Sequence, residues 1–136
     1  MCDGRAAGEE AKVGKRRVLV VEDDALMRAF YRSLFQRLAG SYDCRIEESG
    51  SDAWSHLRAN AVDAVVLDWD LPGLTGIEVI RAIRKDPRLQ DVAVVMISGR
   101  ASAHDRTQAL NAGADVYMLK PFDVEEFLQH LRRLLA

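Results

Sequence analysis

The chain has 136 residues, of which 49% are hydrophobic and 29% charged, and its formal net charge is -2. That length suits one domain, which buries roughly two thirds of its unfolded surface without disulfide or metal staples. The near-neutral charge excludes broad attraction to nucleic acid or to a membrane surface. Cys2 and Cys44 have no CxxC spacing, so neither a disulfide scaffold nor a zinc site is expected. The opening residues MCDGRAAGEEAKVGKRR lack the apolar run of a signal peptide, and no stretch approaches the roughly 18 apolar residues of a membrane span. A cytoplasmic location is expected.

Residues 1–15 are glycine, alanine and charge without hydrophobic period, the composition of a flexible tail. VLVV (18–21) is a short apolar run suited to a strand buried on both faces, and it stops at EDD. Asp24 is placed to cap a helix carrying Met27, Phe30, Leu34 and Leu38 at helical spacing, with Gly40 ending it. YDCRIEE then alternates Tyr42, Cys44 and Ile46 against Asp43, Arg45 and Glu47, the period-two pattern of a half-exposed edge strand. Next come SDAWSHLRA as a helix, AVVLD as a strand, TGIEVIRAIRK as a helix stopped by Pro87, and VAVVMIS as a strand. SAHDRTQALNAG (helix), DVYML (strand) and DVEEFLQHLRRLLA (helix) complete the pattern. Five strands alternating with five helices predict an α/β fold, a doubly wound parallel sheet with helices on both faces. In such sheets the ligand crevice lies beyond the carboxyl ends of the strands.

At those ends stand Glu22, Asp23 and Asp24 (strand one), Asp68 (strand three), Ser98 (strand four) and Lys120 with Pro121 (strand five). Each has an ordinary explanation alone: Asp24 caps a helix, DLPG is good turn sequence, Ser98 precedes a glycine, and a lone lysine is usually solvated. Together they bring carboxylates, a hydroxyl and an ammonium into one crevice. Crowded carboxylates repel, and a hard divalent cation such as Mg²⁺ relieves that repulsion through oxygen ligands.

The motifs VLVVEDD, VVLDWDLPGLTG, VVMISG and AGADVYMLKPFD, in this order and spacing, resemble the receiver domain of two-component response regulators over about residues 16 to 136. The resemblance implies a flavodoxin-like sheet of order 2-1-3-4-5. It implies that Asp68 accepts a phosphoryl group from the phosphohistidine of a histidine kinase or histidine phosphotransfer protein. Glu22 and Asp23 match the acidic pair that holds Mg²⁺, or Mn²⁺ in its place, with Asp68 and the backbone carbonyl of Asp70 as further ligands. Ser98 matches the hydroxyl that moves to the phosphoryl group, Lys120 the lysine that pairs with it, and Tyr117 the aromatic switch, whose ring could otherwise lie partly exposed. A cis Lys120-Pro121 bond is also implied. Asp70 and Arg100 occupy places where family members vary phosphoryl lifetime, and their opposite charges could pair over the site. A homodimer through the fourth helix, fifth strand and fifth helix is compatible with the family, with Asp115, Glu126, Arg106 and Arg133 as cross-subunit charges.

Two rival readings stand against this one. DWD (68–70) looks like the DxD pair of haloacid-dehalogenase-type phosphatases, with Asp68 as nucleophile and Asp70 as general acid, but in those enzymes DxD comes on the first strand and here EDD does. A phosphorylation-independent interaction module would be betrayed by loss of Glu22, Asp23, Asp68 or Lys120, and all four are present. No helix-turn-helix or basic stripe indicates direct nucleic-acid binding. The output partner or output domain is unknown from sequence.

Overall fold

The unbroken apolar runs take the middle of a parallel sheet. The computed structural model describes residues 14–136, so all but the last two residues of the expected tail lie outside the described residues. The elements are β1 (Arg16–Val21), α1 (Ala25–Arg37), β2 (Tyr42–Glu47), α2 (Gly50–Ala59), β3 (Ala64–Leu67), α3 (Gly76–Lys85), β4 (Ala93–Ser98), α4 (Ala103–Ala112), β5 (Val116–Leu119) and α5 (Val124–Leu134). The strands pair in parallel in the order β2-β1-β3-β4-β5.

Because successive strand residues point to opposite faces, each central run feeds two cores. Val18, Val20, Ala64, Val66, Val95 and Ile97 pack under α1 and α5, against Tyr31, Phe35, Phe127 and Leu131. Leu19, Val21, Val65, Leu67, Val94 and Met96 pack under the other helices, against Leu57, Ile80, Ile83 and Ala109. Among the described residues all five helices begin with a side-chain cap: Asp24, Ser49, Thr75, Ser102 and Asp123 each accept the backbone N–H three residues on, a contact worth about 1 kcal/mol.

Two details depart from the sequence pattern. Helix α1 ends at Arg37 with Leu38 as its cap, so Gly40, expected to end the helix, lies beyond it in the turn to β2. Asp43, expected to face solvent, is buried, because α2 packs across the opposite face of the β2 edge. Asp115, one of the charges assigned to a subunit contact, also bonds within the chain, its Oδ2 accepting from Val94 N (2.8 Å) and from Arg84 Nη2 (3.0 Å). The same guanidinium donates to the carbonyls of Gly113, Gln90 and Val92, fastening the end of α4 to α3 and β4.

Candidate functional site

Hydrogen bonding in register does not stop where the strands do. Glu22 N donates to Glu47 O (3.0 Å), Asp68 N to Val21 O (3.3 Å) and Lys120 N to Ser98 O (2.9 Å). The residue after β1, β3 and β5 is therefore still fixed by the sheet, and the parallel register delivers Glu22, Asp68 and Lys120 to one end of it. The Lys120-Pro121 peptide bond at the end of β5 is cis.

Lys120 Nζ lies 2.6 Å from Asp68 Oδ2 and 2.8 Å from Glu22 Oε1. The remaining Asp68 oxygen, Oδ1, accepts from Trp69 N at 2.6 Å, and Glu22 Oε2 accepts from Asp24 N at 3.1 Å. Glu22 is 2% exposed. Burial pushes its carboxyl above the ordinary range, the Lys120 and Asp24 contacts pull it back, and the charge of Asp68 adds to the rise. For Lys120, burial works against the charged form, but bonds to Asp68 and Glu22 outweigh it and hold the ammonium protonated. One ammonium thus serves two carboxylates. Glu22, Asp23 and Asp68 each present an oxygen within 4.8 Å of the others. Three carboxylates against one ammonium leave negative charge uncompensated, and an all-oxygen donor set suits a hard divalent cation better than zinc or copper. The residues fit such an ion.

The rim is built on Arg100. Its Nε and Nη2 donate to Asp70 Oδ2 (3.2 Å) and Oδ1 (2.6 Å), and its guanidinium lies 4.5 Å from the centre of the Trp69 ring. The hydrogen bond from Arg100, then its charge and that of Lys120, hold the Asp70 carboxyl below the usual carboxylate range against the opposing effect of burial. The Arg100 backbone joins the same assembly: its N–H donates to Ser98 Oγ (3.1 Å) and its carbonyl accepts from Tyr117 Oη (2.6 Å). Ser98 is fully buried. Tyr117 is buried as well, in the core on the α3 side, and its burial raises the phenol's pKa. The partly exposed ring that the sequence allowed is therefore not the conformation seen: the ring packs in the core and its hydroxyl donates to the Arg100 carbonyl.

Three supporting residues escaped the sequence reading. Trp69 was passed over, although an aromatic next to Asp68 and near a cation was a readable signal. Arg28 gave no signal, since its hydrogen bonds go to backbone carbonyls. Gly76 could have been flagged only by its proximity to the DLPG turn. Its N–H donates to Trp69 O (2.8 Å), and a methyl group there would collide with the carbonyl oxygen of Asp68 and with Met96 Cε. Gly73, with φ 76°, adopts the left-handed conformation that the turn after Pro72 requires. Gly76→Ala is expected to destabilise the protein by about 1–3 kcal/mol through overpacking, whereas Gly40→Ala, at a position open to solvent, should change little. Thermal unfolding of the two variants checks this.

A carboxylate at the end of β3, an acidic pair after β1 and a lysine after β5, on a sheet of order β2-β1-β3-β4-β5, define a receiver-type phosphoacceptor domain. Residues 18–132 match the response regulator receiver domain family, and the chain belongs to that family. It is 30% identical over 118 residues to the chemotaxis protein CheY of Pseudomonas aeruginosa, covering 87% of this chain and 94% of that protein. It is 32% identical over 123 residues to the phosphate regulon transcriptional regulatory protein PhoB of the same organism, covering 90% of this chain but 52% of PhoB. The chain thus spans almost all of one relative and about half of others. Among solved structures, the receiver domain of the sensor histidine kinase PA1611 of Pseudomonas aeruginosa is similar with a TM-score of 0.80 and 26% identity. The match covers 89% of this chain and 98% of that one, which carries a magnesium ion in its active-site cleft.

Proposed function

We propose that this receiver domain takes a phosphoryl group onto Asp68 from the phosphohistidine of a histidine kinase or histidine phosphotransfer protein. The observation that carries the reading is the Asp68 carboxylate held at a sheet end by Lys120, beside Glu22 and Asp23. One Asp68 oxygen attacks phosphorus, the phosphorus–nitrogen bond breaks, and the imidazole leaves with the electron pair and takes a proton from solvent. Catalysis of such a transfer consists of in-line positioning and neutralisation of charge on the moving group's oxygens. Glu22, Asp23, Asp68 and the backbone carbonyl of Asp70 would hold Mg²⁺, or Mn²⁺ in its place, which when bound supplies much of that positive charge. Lys120 supplies the rest, and it is already directed at Asp68.

After transfer Asp68 carries strong acceptor oxygens, and Ser98 donates to one of them. That hydroxyl currently accepts from Arg100 N, whose carbonyl holds Tyr117. Movement of Ser98 is thereby communicated to Tyr117 and the face made by α4, β5 and α5. A groove of about 550 Å³ lies there, lined by Arg106, Tyr117, Leu119, Pro121 and Glu126 among others. This is the surface through which an output partner or output domain is controlled. If a homodimer forms through it, Asp115, Glu126, Arg106 and Arg133 supply charges for cross-subunit pairing. The chain catalyses only the gain and loss of its own phosphoryl group. No helix among the described residues is long and apolar enough to cross a membrane, in keeping with action in the cytoplasm beside a kinase.

The phosphatase reading is disfavoured by Asp70. A general acid must be protonated, and Arg100 holds this carboxylate in its charged form. Incubation with phosphorylated histidine kinases from the source organism tests the proposal: one should transfer its label within seconds in Mg²⁺, and EDTA should block transfer. Turnover of small phosphomonoesters without stable labelling would favour the phosphatase instead.

A further inference from the structure

We propose that Arg28 is a positioning residue for the cation site, acting on the backbone of the acidic pair rather than on its carboxylates. The proposal rests on reading Glu22, Asp23 and Asp68 as that site. Three residues join the end of β1 at Val21 to the start of α1 at Ala25. The helix's own first donors are consumed by Asp24: its carboxylate accepts from Met27 N (2.8 Å) and its carbonyl from Arg28 N (2.9 Å). Backbone carbonyls that the helix leaves unpaired take donors from elsewhere, and those of Glu22, which is buried, and Asp23, which is exposed, find theirs in one side chain. Arg28 Nη1 donates to Glu22 O (3.3 Å) and to Asp23 O (2.7 Å).

Geometry makes this reach possible. Helical side chains lean toward the helix N-terminus, so a long side chain in the first turns of α1 folds back over the loop that precedes it. The Arg28 side chain is 17% exposed, and its Nη2 lies 3.7 Å from Glu48 Oε1, on a side chain that is 70% exposed. That long, exposed contact contributes little, which leaves the two carbonyls as the contacts that matter.

The consequence follows from electrostatics. Glu22, Asp23 and Asp68 repel one another, and a free loop would relax by swinging Asp23 outward. Lys120 eases the repulsion between Glu22 and Asp68 by occupying one oxygen of each, in competition with a cation. Arg28 opposes the outward swing of Asp23 from behind, through its carbonyl, and takes up no carboxylate oxygen of the three. It preorganises the donor set without subtracting from it. Outer residues that orient metal ligands typically change metal affinity by about 10–100-fold when removed.

The test is calorimetric titration of the metal-free protein with MgCl₂, together with thermal unfolding in EDTA. Arg28→Ala is expected to raise the dissociation constant for Mg²⁺ about tenfold, to keep a cooperative melt in EDTA, and to lose most of the Mg²⁺-induced rise in melting temperature. Arg28→Lys, which keeps the charge but not the planar fork, should fall between wild type and Arg28→Ala. Glu48→Ala should bind Mg²⁺ like wild type. If Arg28→Ala fails to fold, Arg28→Lys carries the test, and an unchanged dissociation constant in the variant that folds overturns the proposal. A wild-type protein that itself binds no Mg²⁺ overturns the cation-site reading and the proposal together, whereas binding by wild type and variant alike overturns the proposal alone.

Discussion

Asp68→Asn is expected to abolish Mg²⁺-dependent phosphoryl uptake from acetyl phosphate, with no detectable acid-stable, base-labile label remaining. The amide keeps the size and planarity of the carboxylate, so it can still accept from Trp69 N as Asp68 Oδ1 does. What it loses is the anionic nucleophile. It also turns a strong acceptor for Lys120 Nζ into a group that has a donor end. The fold should persist, because the strand residues beneath, Ala64 to Leu67, are fixed by their own pairing and burial. Removing one of three neighbouring negative charges also relieves repulsion on Glu22, whose carboxyl the Asp68 charge helps to raise. Labelling and circular dichroism on the same preparation separate chemistry from folding. Label equal to wild type in Asp68→Asn would move the phosphoacceptor elsewhere and undo the proposed function.

That Asp68 could be singled out in the sequence reflects how parallel sheets write themselves into a chain. AVVL is apolar on both faces because helices cover both, so the abrupt change to a carboxylate marks a strand end. The same contrast exposes Glu22 after VLVV and Ser98 after VVMI. Features carried by one side chain against backbone had no such signature. Arg28 acts on two carbonyls, and any residue offers a carbonyl. Asp43 misled because the period-two pattern reports the chemistry of a residue and not what crosses over it, and α2 covers that edge. Tyr117 was identified by its sequence position, but its pose, with the ring in the α3-side core and the hydroxyl on the Arg100 carbonyl, depends on a loop whose path no local pattern specifies.

The pairing of Asp70 with Arg100 was legible as opposite charges two residues beyond Asp68 and Ser98, at places where the family varies phosphoryl lifetime, and its functional weight can be measured. Arg100→Ala is expected to shorten the half-life of the phosphorylated protein by about fivefold, and Asp70→Ala, which leaves the Trp69 contact in place, to shorten it by less. Hydrolysis of an acyl phosphate needs water in line with the breaking bond, and the approach passes the rim where these side chains meet. The forked contact with Asp70 fixes the guanidinium plane, and the Trp69 ring supports its face. An exposed ion pair contributes about 0–1 kcal/mol and an exposed cation–π contact about 0.5–1 kcal/mol. Together they hold this pose by about 1 kcal/mol, and since roughly 1.4 kcal/mol is a decade in rate, loss of the pose converts to a change of about fivefold. Because both side chains act through one contact, the double variant should be no worse than the worse single one. Arg100→Lys should resemble Arg100→Ala more than wild type, since an ammonium forms neither the fork nor the stack as well. The measurement is autodephosphorylation of the wild-type, single-variant and double-variant proteins at fixed Mg²⁺. A longer half-life in Arg100→Ala would mean instead that the guanidinium reaches the phosphoryl oxygens and speeds hydrolysis, in the manner of an arginine finger. In that case Asp70→Ala, which frees the guanidinium, should be the fastest of the set, so the ordering of the two single variants decides between shield and accelerator whatever their absolute rates.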